Sequence, residues 1–212
     1  MSFTEKISAV HLDILKEIGN IGAGNAATAL SKLLTKKIDM KVPSVRILSF
    51  DEMLDLAGGA ETIVLSVYLR IEGDAPGTIL FVLSPHQAMY FIHQMTDEKD
   101  FSFEMPPFSE LSMSALQELG NILSGSYLSA LSDFTGLHLY PSVPALSYDM
   151  AGATISYGLL ELSQVSDYVI VIDTALSEVG QDTNSVNGHF FMLPDPESFE
   201  TIFASLGVNS ND

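Results

Sequence analysis

At 212 residues, 47% hydrophobic and 17% charged, the chain is long enough to bury a sizeable core and too apolar to be disordered. Its net charge of −18 argues against a nucleic-acid backbone or an anionic membrane surface as partner and favours an electropositive protein surface or a cation. No cysteine is present, so disulfides and thiolate chemistry are excluded, which fits a reducing cytosol, and neither a signal core nor a membrane-length apolar run is found.

Residues 4–34 read as one helix, started near Thr4 or Ser8 and losing its pattern at Lys36-Lys37. Short extended pieces follow on either side of Pro43, at 38–42 and 45–50, and the stretch 55–61 with Gly58-Gly59 reads as turn or loop. Alternating and β-branched residues predict a strand over 62–71. Glu72-Gly-Asp-Ala-Pro-Gly77 turns it into a second strand over 78–83, an antiparallel hairpin. Ser84-Pro85 caps and opens a helix to about Met95. The charged, proline-bearing stretch 96–107 is the natural boundary between two halves. The second half repeats the order: a helix from about Ser109 to Phe134 stopped by Gly136, an extended stretch around Pro141 and Pro144, and strands near 145–148, 154–162, 168–176 and 188–193. A polar loop at 177–187, a helix opened by Asp195-Pro196 and a mobile tail at 207–212 complete it.

Asp13, Glu17, Gly19, Asn20 and Gly24 in the first half are matched, 101 positions later and without a gap, by Ser114, Glu118, Gly120, Asn121 and Gly125. Ala29-Leu30-Ser31 matches Ala130-Leu131-Ser132, and Pro43 matches Pro144. At about 100° per residue, Asp13, Glu17, Asn20 and Gly24 form one polar stripe with a bare patch at its end, and Ser114, Glu118, Asn121 and Gly125 form another. Leu15, Gly22, Ala26, Ala29 and Leu33, with Leu116, Leu123, Ala130 and Phe134, lie on the opposite faces and are expected in the core. Glycines and prolines can recur for backbone reasons. A solvated Glu and Asn have no such reason to agree between two halves that otherwise differ, so both stripes are candidate sites.

Other signals are weaker. Gly22-Ala-Gly24-Asn-Ala-Ala27 spells a dinucleotide fingerprint but lacks the buried strand that must precede it, and the second copy has Leu123 in place of Gly22. His11, His86, His93, His138 and His189 show no metal-ligand spacing.

The twice-written acid or hydroxyl, Glu, Asn and distant Pro resembles the CheC, CheX and FliY family of chemotaxis phosphatases, and the similarity covers essentially the whole chain. The two-copy layout is similar to the CheC branch. The resemblance implies hydrolysis of the aspartyl-phosphate of the response regulator CheY. Asn20 and Asn121 would orient the attacking water, Glu17 and Glu118 would dock a regulator lysine, and Asp13, Gly24, Ser114 and Gly125 would support docking. It implies no cofactor of the chain's own, with Mg²⁺ carried by the regulator, and it brings the deamidase CheD as a second partner. The alternative is a binding protein that holds phosphorylated CheY or controls CheD without hydrolysis. The expected fold is one α/β domain over 1–206 made of two pseudo-symmetric repeats, about 4–95 and 109–206. Long helices would pack on largely antiparallel sheet, in a cytoplasmic protein that avoids nucleic acid and membrane insertion. Neither a further flagellar-switch domain nor an N-terminal regulator-binding peptide is expected.

Overall fold

Two long helices, α1 (Ala9–Leu34) and α4 (Glu110–Thr135), carry the repeated stretch. Ser8 precedes α1, where its N–H donates to His11 Nδ1 at 2.9 Å, and Thr35 ends it in the left-handed region at φ 53°. Ser109 caps α4 by accepting from the Ser112 N–H, and Gly136 closes it at φ 71°, a turn that glycine makes without steric cost. The computed structural model describes residues 7–104, 106–159, 168–178 and 186–207. Thr4, most of the polar loop and most of the tail lie outside the described residues.

After α1 come β1 (Ile38–Lys41), β2 (Val45–Ser49), α2 (Phe50–Leu56), β3 (Ile63–Gly73), β4 (Gly77–Leu83) and α3 (Pro85–Met95). After α4 come β5 (Leu139–Pro141), β6 (Ala145–Met150), α5 (Ala151–Leu159), β7 (Tyr168–Glu178), β8 (Val186–Pro194) and α6 (Pro196–Ser205). The strands form one eight-stranded antiparallel sheet in the order β1-β7-β8-β4-β3-β5, with β2 also on β7 and β6 also on β3. The expected hairpin is β3–β4, with Leu69 opposite Ile79.

The two halves exchange edges. β1 and β2 of the first pair with β7 of the second, β5 and β6 of the second pair with β3 of the first, and β4 meets β8 at the centre with Leu80 opposite Phe191. Each half therefore supplies strands to the other, and the two repeats share one sheet.

Strand alternation divides the apolar residues between the two faces of the sheet. Leu65, Val67, Leu69, Ile170 and Ile172 face a core shared with α1, α3, α4 and α6. Val64, Leu80, Val82, Val169, Val171 and Phe191 face a smaller core closed by Met53 of α2 and by Ala151 and Ile155 of α5. Within 96–104 and 106–108 the chain is tied to the fold at specific points. Phe103 stacks on Tyr148 with centroids 4.5 Å apart, and Glu98 accepts from Ser109 Oγ at 2.7 Å and Ser112 Oγ at 2.5 Å. Those serine hydrogen bonds hold the Glu98 carboxyl below its ordinary pKa.

Three expectations are corrected. The strand over 45–50 stops at Ser49, which caps a helix: the Glu52 N–H donates to Ser49 Oγ at 3.3 Å, and the Glu52 carboxylate accepts from the Ser49 N–H at 2.8 Å. The strand expected over 154–162 is helix α5 as far as Leu159, because Ala151 and Ile155, one turn apart, must both reach the second core. Leu33 and Phe134 are exposed, at 46% and 50%. The buried face of α1 rotates along the helix, from His11, Leu15 and Ile18 near its start to Ala27, Leu30 and Leu34 near its end.

Candidate active site

Each polar stripe is held outward because the opposite face of its helix is locked in the core. Two glycines show how close that packing is. A Cβ on Gly22 of α1 would lie 3.0 Å from the Tyr127 Cα of α4, and one on Gly120 would lie 2.4 Å from Val67 Cγ1 of β3. Gly24 and Gly125, at the ends of the stripes, have nothing within 4 Å of where a Cβ would stand. The glycines therefore divide into packing positions and bare surface.

The helix-to-strand turns are alike in the two copies. Ser31 Oγ accepts from the Ile38 N–H at 2.9 Å, and its counterpart Ser132 accepts from the Leu139 N–H at 3.3 Å. Asp13, Glu17, Ser114 and Glu118 are exposed, and among the described residues their side chains make no hydrogen bond or ion pair.

The asparagines differ. Asn20 is half-buried, and its carboxamide is occupied at both ends: Oδ1 accepts from the Val42 N–H at 3.0 Å, while Nδ2 donates to Val42 O at 3.3 Å and to Lys16 O at 3.0 Å. Asn121 is exposed, with no side-chain partner among the described residues.

The corner after each first strand explains the difference. In the first copy Val42 turns inward, 2% exposed and packed over Gly19, while Pro43 faces solvent. β1 ends at Lys41, so the polar backbone of Val42 needs a partner and Asn20 supplies it. Just beyond, Ser44 O accepts from the Asp173 N–H at 3.0 Å and Ser44 Oγ donates to the Asp173 carboxylate. Arg46 grips the same carboxylate through Nε at 3.0 Å and Nη2 at 2.9 Å, and His189 Nδ1 lies 3.2 Å from it. Burial alone would raise the Asp173 pKa, but the hydrogen bonds from Arg46 and Ser44, the Arg46 charge and the His189 contact lower it.

In the second copy Val143 turns outward, 90% exposed, and Pro144 is buried. Here the corner is anchored by Ser142, whose N–H donates to Arg70 O at 2.9 Å and whose Oγ accepts from the Arg70 N–H at 2.9 Å. Arg70 is itself held by Asp195, at 3.1 and 2.7 Å. With the corner secured by β3, Asn121 is left without a side-chain partner among the described residues. Sequence reasoning missed Val42, Ser142, Arg70 and Asp173. The one signal was that Lys41 and Ser44 are replaced by Ser142 and Ala145 inside an otherwise matched repeat.

The CheC-like family model matches residues 10–47 and 111–148, the same helix and corner in each copy. The CheY-P phosphatase CheC of Bacillus subtilis is 49% identical over 209 residues, covering 99% of this chain and 100% of that protein. The chain belongs to the CheC-like family. Among solved structures, Thermotoga maritima FliY superposes with a TM-score of 0.73 at 20% identity, covering 95% of this chain and 98% of that one. A chain of the CheX-CheY-BeF3-Mg complex of Borrelia burgdorferi superposes with a TM-score of 0.53 at 16% identity, covering 82% of this chain and 96% of that one. These two likenesses support the fold that this CheC-like chain adopts. No described helix is long and apolar enough to cross a membrane, and no group of three or more His, Asp or Glu side chains able to hold a metal occurs among the described residues.

Proposed function

We propose that this CheC-like chain is a cytoplasmic phosphatase for the aspartyl-phosphate of CheY, with Glu118 and Asn121 as its working pair. The observation that carries the reading is the Asn121 carboxamide, exposed and without a side-chain partner among the described residues, one helical turn after exposed Glu118 and beside the bare surface at Gly125. Phosphoryl transfer to water needs a nucleophile placed in line and little covalent work by the protein. A neutral carboxamide both accepts from and donates to water, and it approaches an anionic phosphoryl group without charge repulsion. Glu118 pairs with a cationic regulator side chain and so sets where the amide lies, while Ser114 and Gly125 leave room for the regulator's loops. Magnesium belongs to the phosphorylated regulator, where it neutralises charge on the phosphoryl oxygens.

The test is phosphate release from phosphorylated CheY with Mg²⁺, comparing the protein with its Glu118→Lys variant. The protein should accelerate release above the regulator's own rate, and the charge reversal should raise KM by roughly tenfold or more. No acceleration by the unaltered protein would overturn the reading.

The first copy favours a second, binding role. Exposed Glu17 beside an amide already in use, with Asp13 and open Gly24, suits holding phosphorylated CheY or engaging CheD without activating water.

A further inference from the structure

Resting on the phosphatase reading, we infer that the two copies of the motif have different jobs: Asn121 alone orients water for hydrolysis, and Asn20 is a structural clamp. Asn20 Oδ1 already accepts from the Val42 N–H, and Nδ2 is shared between Val42 O and Lys16 O. To hold a water it would have to release Val42, which is 2% exposed and whose N–H lies past the last β1–β7 pair. Val42 also seals Gly19, with a Cβ position on that glycine 3.3 Å from Val42 Cγ2, so the clamp and the core packing stand or fall together. In the second copy each of these constraints is absent. Val143 stands in solvent, Ser142 and Arg70 hold the corner by two backbone-directed bonds, and the amide of Asn121 has no side-chain partner among the described residues. The recurrence of the asparagine thus has two physical causes, one at each position.

Two equal sites predict that Asn121→Ala keeps about half the phosphatase activity, because the first copy is untouched. One working site predicts that it falls to the regulator's own rate, a loss of roughly tenfold or more in the acceleration. The measurement is phosphate release from phosphorylated CheY with Mg²⁺ by the full chain, with thermal unfolding of each variant alongside. Asn121→Ala should leave Tm unaltered. Asn20→Ala, which orphans the Val42 backbone, should lower it by roughly 4–8 °C. Glu118→Gln serves as a second, fold-neutral probe of the same site and should also remove most of the acceleration. If Asn121→Ala and Glu118→Gln each keep about half the activity, or if Asn20→Ala leaves Tm unaltered, the division of roles is wrong while the phosphatase reading stands. If the unaltered protein gives no acceleration, the phosphatase reading itself fails.

Discussion

The corners at 42–44 and 143–145 are in register in the sequence and opposite in space. Val42 is buried and Pro43 exposed, whereas Val143 is exposed and Pro144 buried. The two asparagines upstream sit at the same place on equivalent helices, yet one is bound to the corner and the other has no side-chain partner among the described residues. What decides their state is how the following strand finishes its hydrogen bonding. β1 runs out at Lys41 and borrows from Asn20, while β5 runs out at Pro141 and is taken over by Ser142 on Arg70. A side chain's availability for chemistry is therefore set by backbone accounting some twenty residues away, and not by the motif in which it stands.

The sharpest way to break this comparison is to truncate the two valines. Val42→Ala should cost about 2–3 kcal/mol in urea unfolding, because it opens a cavity over Gly19, whereas Val143→Ala should stay within about 0.5 kcal/mol of the parent. Equal costs would mean that the two corners are not distinct in solution.

The glycines sharpen it next. Gly120→Ala drives a methyl into Val67 and should cost about 1–3 kcal/mol, while Gly125→Ala meets open space and should add up to about 1 kcal/mol by helix propensity. The same Gly125→Ala change should weaken CheY docking, read as a higher KM.

The smallest effect concerns pH. The Asp173 carboxyl titrates below its ordinary range, so the stability it lends to the first corner is fully present above the unfolded value of about 4 and is lost as pH falls through the folded one. Asp173→Asn should therefore flatten the acid limb of a Tm-against-pH curve below about pH 4 and leave its slope at neutral pH unchanged. A parallel downward shift with the acid limb intact would assign the acid sensitivity elsewhere.

Much of the fold was legible because local signals agreed. Ser84-Pro85 and Ser109 opened helices and Gly136 closed one where expected, and the β3–β4 hairpin followed from its alternation and its Gly-Asp-Ala-Pro-Gly turn. α2 was missed: its Ser49-Phe-Asp-Glu52 capping box carries the signal, but its seven residues are too short for periodicity to register. α5 was misread because Thr154, Ile155 and Tyr157 favour strand while the second core asks for a helix, an instance of tertiary packing overriding propensity. The edge exchange was beyond reach, since a repeat says which strands are equivalent and not which copy they pair with. The surface position of Glu17, Glu118 and Asn121 was legible from their helical spacing. The occupancy of Asn20 was not, because it depends on the inward turn of Val42, and both corners carry the same Val-Pro pair.

The most direct test of the central claim measures binding and turnover together for Asn121→Ala against CheY carrying beryllofluoride and CheY carrying phosphate, respectively, both with Mg²⁺. If the amide acts on water, affinity should stay within about twofold while acceleration of phosphate release is lost. If affinity falls in proportion to the rate, Asn121 is a docking contact, and the assignment of water positioning to its carboxamide is contradicted.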